Sequence, residues 1–195
     1  MSTQPSRASD GRARRRLSTM TRVQDVAISL FRKKGYEAVT VEDVARAADV
    51  GAASIFRNFG TKEALVLWDE YDPMLLAAVS RHLRAKQKPI EAVRLALEEG
   101  IAEVYDRERA RILKRADLIA RTAALAAAAR LNVQALRDGL EQAFAPYVRD
   151  RMERALLAAL LASTLEVSVE EWRRHRGRHR LDALISAAFE LLERL

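Results

Sequence analysis

The 195 residues are 49% apolar and 31% charged, with seven Gly, four Pro and a net charge of +7, a balance that permits a sizeable core and favours helices over sheets. The absence of Cys excludes disulfides, thiolate zinc sites and a Cys nucleophile, and fits a reducing compartment. The N-terminus lacks the apolar core of a signal peptide and no apolar run reaches the roughly 18 residues of a membrane span, so a soluble, cytoplasmic, all-α protein is expected.

Residues 1–18 are rich in Ser, Gly and Arg, carry the cluster Arg12, Arg14, Arg15 and Arg16, and have little to bury, which predicts a disordered basic arm. Such an arm is either a solvated tail or a segment that follows phosphates or enters a minor groove. Charge location bears on the choice. Residues 1–62 hold twelve Lys and Arg against six Asp and Glu, so +6 of the chain's +7 lies in this first third.

A first helix is predicted over 19–34, with Val23, Val26, Ala27, Leu30 and Phe31 as its apolar stripe, cationic residues in its last turn and Gly35 as its stop. Tyr36 and Val39 plug the small core behind it. Thr40 then opens a second helix as N-cap, with Asp43 three residues on and Val41, Val44, Ala45 and Ala48 at helical spacing. Asp49-Val50-Gly51 makes a three-residue turn in which Asp tolerates a left-handed backbone and Gly51 serves as the next N-cap. Ala52 to Phe59 gives about two turns, with Ile55 and Phe59 inward and Ala52, Ala53, Ser54, Arg57 and Asn58 left for the other side. Two small side chains, a hydroxyl, a guanidinium and an amide suit the wall of a DNA major groove.

Thr61 caps a further helix whose Leu65, Val66, Trp68 and Tyr71 open a second domain, and Asp72-Pro73 bends or breaks it. Helical patterns follow over 74–84 and, from Pro89, to about Tyr105. Asp106 is expected to cap a separate arginine-rich segment to about Asp117. An Ala-rich helix from about Thr122 carries Leu125, Leu131, Leu136, Leu140 and Phe144 up to Pro146. Two strongly apolar helices, at about 149–175 and 181–195, finish the chain around the basic loop 175–180.

Catalytic chemistry finds little footing. His82 lies mid-helix near arginines, and His175 and His179 are split by Gly177 among arginines whose charge repels a metal cation. Neither a phosphate-binding Gly-rich loop ending in Lys-Ser/Thr nor a Gly-x-Ser-x-Gly elbow is present. No catalytic residue, metal or cofactor is expected.

The runs Thr-Val-Glu-Asp-Val-Ala (40–45), Ala-Asp-Val (48–50), Ile-Phe-Arg-Asn-Phe (55–59) and Thr-Lys-Glu-Ala-Leu (61–65), ahead of a long helical remainder, resemble the signature of the TetR family of bacterial transcriptional regulators. That resemblance implies an all-α fold: a basic arm over 1–18, a three-helix helix-turn-helix DNA-binding domain over 19–62, and a larger ligand-binding and dimerisation domain over 63–195. By the same resemblance Ser54 and Arg57 face bases, Ala52 and Ala53 at most touch thymine methyls, and Thr40, Asn58 and Lys62 meet phosphate. The chain departs from the family pattern where Gly51 replaces Ser or Thr, Phe56 replaces Tyr and Asp49 replaces Gly. These departures put more weight on Arg57, Lys62 and the arm.

In such a family member the last two helices form a homodimer interface, here through Leu156, Leu160, Leu184, Ala188 and Leu191. An effector cavity could be lined by Trp68, Tyr71, Leu75, Tyr105, Leu118, Leu125 and Phe144, and the scarcity of polar groups there favours an apolar or amphipathic small molecule. The expected function is a ligand-responsive repressor on a palindromic double-stranded DNA operator. The alternatives are a DNA-binding protein without an inducer and a small helical enzyme.

Overall fold

The computed structural model describes residues 7–69, 71–192 and 194, with the side chains of 7–10, 13, 14, 72 and 101–107 outside the description. Every regular element among them is a helix: α1 (Arg7–Lys34), α2 (Val41–Ala47), α3 (Ala52–Phe59), α4 (Ala64–Leu67), α5 (Asp72–Arg84), α6 (Pro89–Arg121), α7 (Ala123–Phe144), α8 (Arg151–Arg174) and α9 (Leu181–Leu192). None is long and apolar enough to cross a membrane. The chain divides into two compact units, the first ending at Trp68 and the second beginning at Asp69.

In the first unit α1 packs on α2 and α4, and α2 on α3. The face that α1 buries is Met20, Val23, Gln24, Ala27, Ile28 and Phe31, a run at helical spacing with a glutamine in it. Val26 and Leu30, expected on the stripe, are only half-buried because that glutamine turns the true face by about one position. α1 begins at Arg7, within the stretch 1–18 expected as an arm. No proline lies between Pro5 and the end of α1 at Lys34, Ala, Arg and Leu are good helix formers, and extending an existing helix needs no new nucleus. Residues 1–6 lie outside the described residues.

The helix expected from Thr61 to Tyr71 is instead the four-residue α4, and its buried Leu65, Val66 and Leu67 complete the first unit rather than open the second. Trp68 then turns extended, with ψ 125°, and its ring meets Phe59 edge-on at 6.0 Å. Pro73 stands in the first turn of α5, where its missing N–H costs nothing.

The second unit is assembled around α6, which packs against α5, α7, α8 and α9. Its core runs through Val79, Leu83, Val93, Leu97, Leu140, Phe144, Leu161, Trp172, Ile185 and Phe189. Burying each such side chain contributes about 1.5–3 kcal/mol. The break expected at Asp106 does not occur. From Ile101 to Arg121 the sequence has neither Gly nor Pro, so nothing stops the helix before Thr122. At the far end, the loop between α8 and α9 is seated on the core. Gly177 takes a left-handed φ of 66° and accepts a hydrogen bond from Arg109, and a β-carbon there would lie 3.3 Å from both the Trp172 ring and the Arg109 guanidinium.

Candidate nucleic-acid interface

Local chemistry sets the helix-turn-helix. The Thr40 hydroxyl accepts from the Asp43 backbone N–H at 3.1 Å, and the Asp43 carboxylate accepts from the Thr40 N–H at 3.1 Å, a reciprocal cap. The Thr40 N–H, then its hydroxyl and Arg46, hold the Asp43 carboxyl below its ordinary range. The turn is made by Asp49, with φ 49°, and by the Val50 N–H donating to Ala45 at 3.0 Å. Gly51 caps α3 with its carbonyl but offers no side-chain acceptor to the free N–H groups of the first turn.

Only Ile55 of α3 is buried, with Phe59 half-buried, so packing holds this helix by few contacts and the remaining side chains face outward. Ala53, Phe56 and Arg57 are exposed and Ala52, Ser54 and Asn58 half-exposed. Phe56, which stands where the family pattern has Tyr, is 48% exposed and presents an aromatic face beside Arg57. The Arg57 Nη2 donates to the Ser54 hydroxyl at 2.9 Å, joining the two expected base-facing residues. Asn58 donates to the Ser54 carbonyl at 2.8 Å and accepts from the Arg16 Nε at 3.0 Å.

Lys62, one of the expected phosphate contacts, is tied into the fold. Its Nζ donates to the Tyr36 carbonyl at 2.6 Å and lies 4.2 Å from the centre of the Tyr36 ring. The Tyr36 hydroxyl in turn donates to Glu63 at 2.7 Å. That bond holds the Glu63 carboxyl below its ordinary range, while burial, then the bond itself, pushes the Tyr36 hydroxyl well up. Of the arm, Arg12, Arg15 and Arg16 are exposed, and the Arg15 Nε donates to the Gly11 carbonyl of its own helix at 3.3 Å. The Arg14 side chain lies outside the described residues.

The expected cavity residues fall in several environments. Trp68 belongs to the first unit. In the second, Leu75 and Phe144 share the main core, Leu118 and Leu125 are buried outside that cluster, Tyr71 is half-buried, and the Tyr105 side chain lies outside the description. The expected dimer residues show a pattern. Leu156, Leu160 and Leu191 are 64%, 41% and 58% exposed, and two further residues on α8, Met152 and Val167, are 72% and 59% exposed. Met152, Leu156, Leu160 and Val167 recur at helical spacing, so α8 carries a bare apolar stripe opposite its buried Ala158, Leu161, Ala162 and Ser168. Leu184 and Ala188 on α9 are half-buried. Among the described residues no group of His, Asp and Glu is placed to hold a metal ion. His82 instead meets Glu99 of α6 at 2.9 Å, and the His175 and His179 rings meet edge-on at 4.7 Å.

Residues 24–67 match the family model for bacterial regulatory proteins of the tetR family, and residues 87–195 match that of the MftR C-terminal domain. The chain belongs to the TetR family of regulators. It is similar to the putative mycofactocin biosynthesis transcriptional regulator MftR of Mycobacterium tuberculosis, 34% identical over 86 residues, which is 43% of each chain. It is also similar to the uncharacterized HTH-type transcriptional regulator YvkB of Bacillus subtilis, 48% identical over 48 residues, a quarter of each. The matched stretches thus span less than half the length of these curated relatives. The fold is shared with the TetR family repressor FadR of Thermus thermophilus, solved with lauroyl-CoA, at 24% identity and a TM-score of 0.52 over 89% of this chain and 92% of that one.

Proposed function

We propose that this chain is a ligand-responsive transcriptional repressor that binds a palindromic double-stranded DNA operator as a homodimer and is released by an apolar or amphipathic small molecule. The observation that carries the reading is the outer face of α3. It presents Ala53, Phe56 and Arg57 to solvent on a helix-turn-helix whose surroundings hold nearly all of the chain's excess positive charge. In a homodimer two such helices would read major grooves one turn apart, about 34–36 Å. The bare apolar stripe of α8 supports the dimer, because a single exposed leucine is ordinary but an aligned row is not. An apolar effector is supported by the character of the expected lining residues, whose side chains offer few polar groups. Binding in this reading is positional: phosphate contacts set the register and Arg57 with Ser54 reads the bases.

Genomic-site selection with the purified protein, followed by footprinting, tests this. A few discrete palindromes protected at two half-sites, with protection relieved by a metabolite of the regulated neighbourhood, is the expected result. Uniform coating of DNA would instead assign a binder without an inducer, and turnover of a small molecule without any DNA preference would assign an enzyme.

A further inference from the structure

We infer that Arg16 is a positioning residue for the recognition helix, acting through Asn58 rather than by gripping phosphate. The inference rests on the DNA-binding reading and concerns what sets its sequence preference.

The Asn58 amide is used at both ends. Its oxygen accepts from the Arg16 Nε at 3.0 Å and its nitrogen donates to the Ser54 carbonyl at 2.8 Å. A guanidinium has no acceptor and a carbonyl has no donor, so turning the amide over would set donor against donor and acceptor against acceptor. The two partners therefore fix Asn58 in one orientation. Ser54 is held twice in consequence, by Asn58 at its carbonyl and by the Arg57 Nη2 at its hydroxyl, 2.9 Å away. Arg16, Asn58, Ser54 and Arg57 form one continuous chain of hydrogen bonds from the N-terminal part of α1 to the guanidinium expected to read a base.

Such a tether matters here because packing constrains α3 weakly, Ile55 being its one buried residue. The stretch of α1 around Arg16 is equally short of packing, since residues 15–19 are all exposed and burial begins at Met20. A hydrogen bond spanning 42 residues of sequence thus joins two segments that the apolar core leaves largely free. A charge-assisted bond of this kind is stronger than a neutral one and directional, which suits it to fixing an orientation. Its loss frees Asn58, then Ser54, and with them the angle at which Arg57 is presented.

The test uses the full chain and two duplexes, the operator selected by the wild type and its scrambled counterpart, titrated at several salt concentrations. Arg16→Gln is the informative variant, because the glutamine Nε2 sits the same number of bonds from the backbone as the arginine Nε. It keeps a donor for Asn58 while removing the charge. Arg16→Ala is expected to lower the ratio of cognate to scrambled affinity about tenfold while leaving the salt slope on scrambled DNA unchanged. Arg16→Gln should retain the ratio to within roughly twofold, and Asn58→Ala should lose it as Arg16→Ala does, the double variant being no worse than either. Equal losses on both duplexes in Arg16→Ala and Arg16→Gln, with a salt slope reduced by about 0.9 per subunit, would make Arg16 a phosphate contact and overturn the inference. The free protein gives a second readout. The Asn58 side-chain amide resonances should shift in Arg16→Ala and stay near their wild-type positions in Arg16→Gln, and resonances unmoved in Arg16→Ala would sink the tether whatever the DNA results. A wild type that selects no duplex, with the resonances behaving as expected, would instead remove the DNA-binding reading and leave the tether standing.

Discussion

The buried side-chain amide of Gln24 donates a 2.8 Å hydrogen bond to the Trp68 carbonyl, and a second, at 3.1 Å, to that of Val66. The first of these carbonyls belongs to the C-cap of α4 and the second to its last turn, where the backbone leaves the helix and its carbonyls lose their helical donors. A polar side chain in the middle of an apolar face is therefore what closes the first unit. Replacing it with leucine of similar volume removes the Gln24 donor from each carbonyl, which costs about 1–3 kcal/mol. Gln24→Leu should lower the denaturation midpoint of the helix-turn-helix unit in urea, and an unchanged midpoint would show that water replaces the glutamine at no cost.

The Tyr36–Glu63 bond makes a prediction about pH. Glu63 is held below its ordinary range chiefly by the Tyr36 hydroxyl, so its share of stability is present above the unfolded carboxylate value of about 4.3 and is lost as pH falls through the lowered folded value. Tyr36 is raised, so its share is complete below about pH 10 and is lost as pH climbs further. Tyr36→Phe should cost about 1 kcal/mol near neutrality and flatten the acid limb of the stability curve, because Glu63 then titrates more nearly as it does unfolded. Urea melts between about pH 3 and pH 7 check this, and an acid limb as steep as the wild type's would assign it to other paired carboxylates such as Glu170 and Asp182.

Arg57 and Lys62 should fail differently on DNA. Arg57→Ala should cost about 1–3 kcal/mol on the cognate operator and little on random duplex, since a guanidinium on a guanine edge discriminates. Lys62→Ala should weaken all duplexes alike and reduce the salt slope by about 0.9 per subunit. Because the Lys62 ammonium also donates to the Tyr36 carbonyl, this variant should melt lower than the wild type, whereas Arg57→Ala should not. Equal losses on both duplexes for Arg57→Ala would make it a phosphate clamp and leave reading to Ser54, the alanines and DNA shape.

The α8 stripe separates association from folding. Leu156 is largely exposed in the protomer, so Leu156→Asp should leave the helical fold intact while converting a dimer to monomer, an unpaired buried charge costing several kcal/mol at an interface. Leu184 packs partly against the core, so Leu184→Asp should also lower stability. Sedimentation and thermal melting distinguish the two effects, and a wild type that sediments as a stable monomer at micromolar concentration would remove the interface.

At Gly51 the backbone is extended, with φ −70°, and the space where a β-carbon would stand is open. Gly51→Ser should therefore fit without strain and stabilise α3 by a few tenths of a kcal/mol as a better N-cap. A destabilised variant would mean that the glycine is needed for a backbone geometry other than the one seen.

What the residues determined by themselves is the local frame. The cap at Thr40 and Asp43, the turn at Asp49 to Gly51, the stop at Gly35 and the start at Pro89 each depend on hydrogen bonds or dihedral limits within about four residues, so composition at those positions suffices. The same holds for the outward face of α3. Sequence also pointed to the greasy stretches at 149–175 and 181–195, but not to which of their residues are bare, since Leu157 and Leu161 are as apolar as Leu156 and Leu160. Only the packing of α8 against α6, α7 and α9 separates the buried row from the exposed one and adds Met152 and Val167. Tertiary structure likewise decided the polar contacts that span tens of residues, among them Gln24 to Trp68, Lys62 to Tyr36 and Arg16 to Asn58. Gln24 hid the buried face of α1 because an apolar count treats a glutamine as solvent-facing. Its partners are backbone carbonyls more than 40 residues away, and no periodicity carries information about a hydrogen bond that exists only after the chain has folded back on itself.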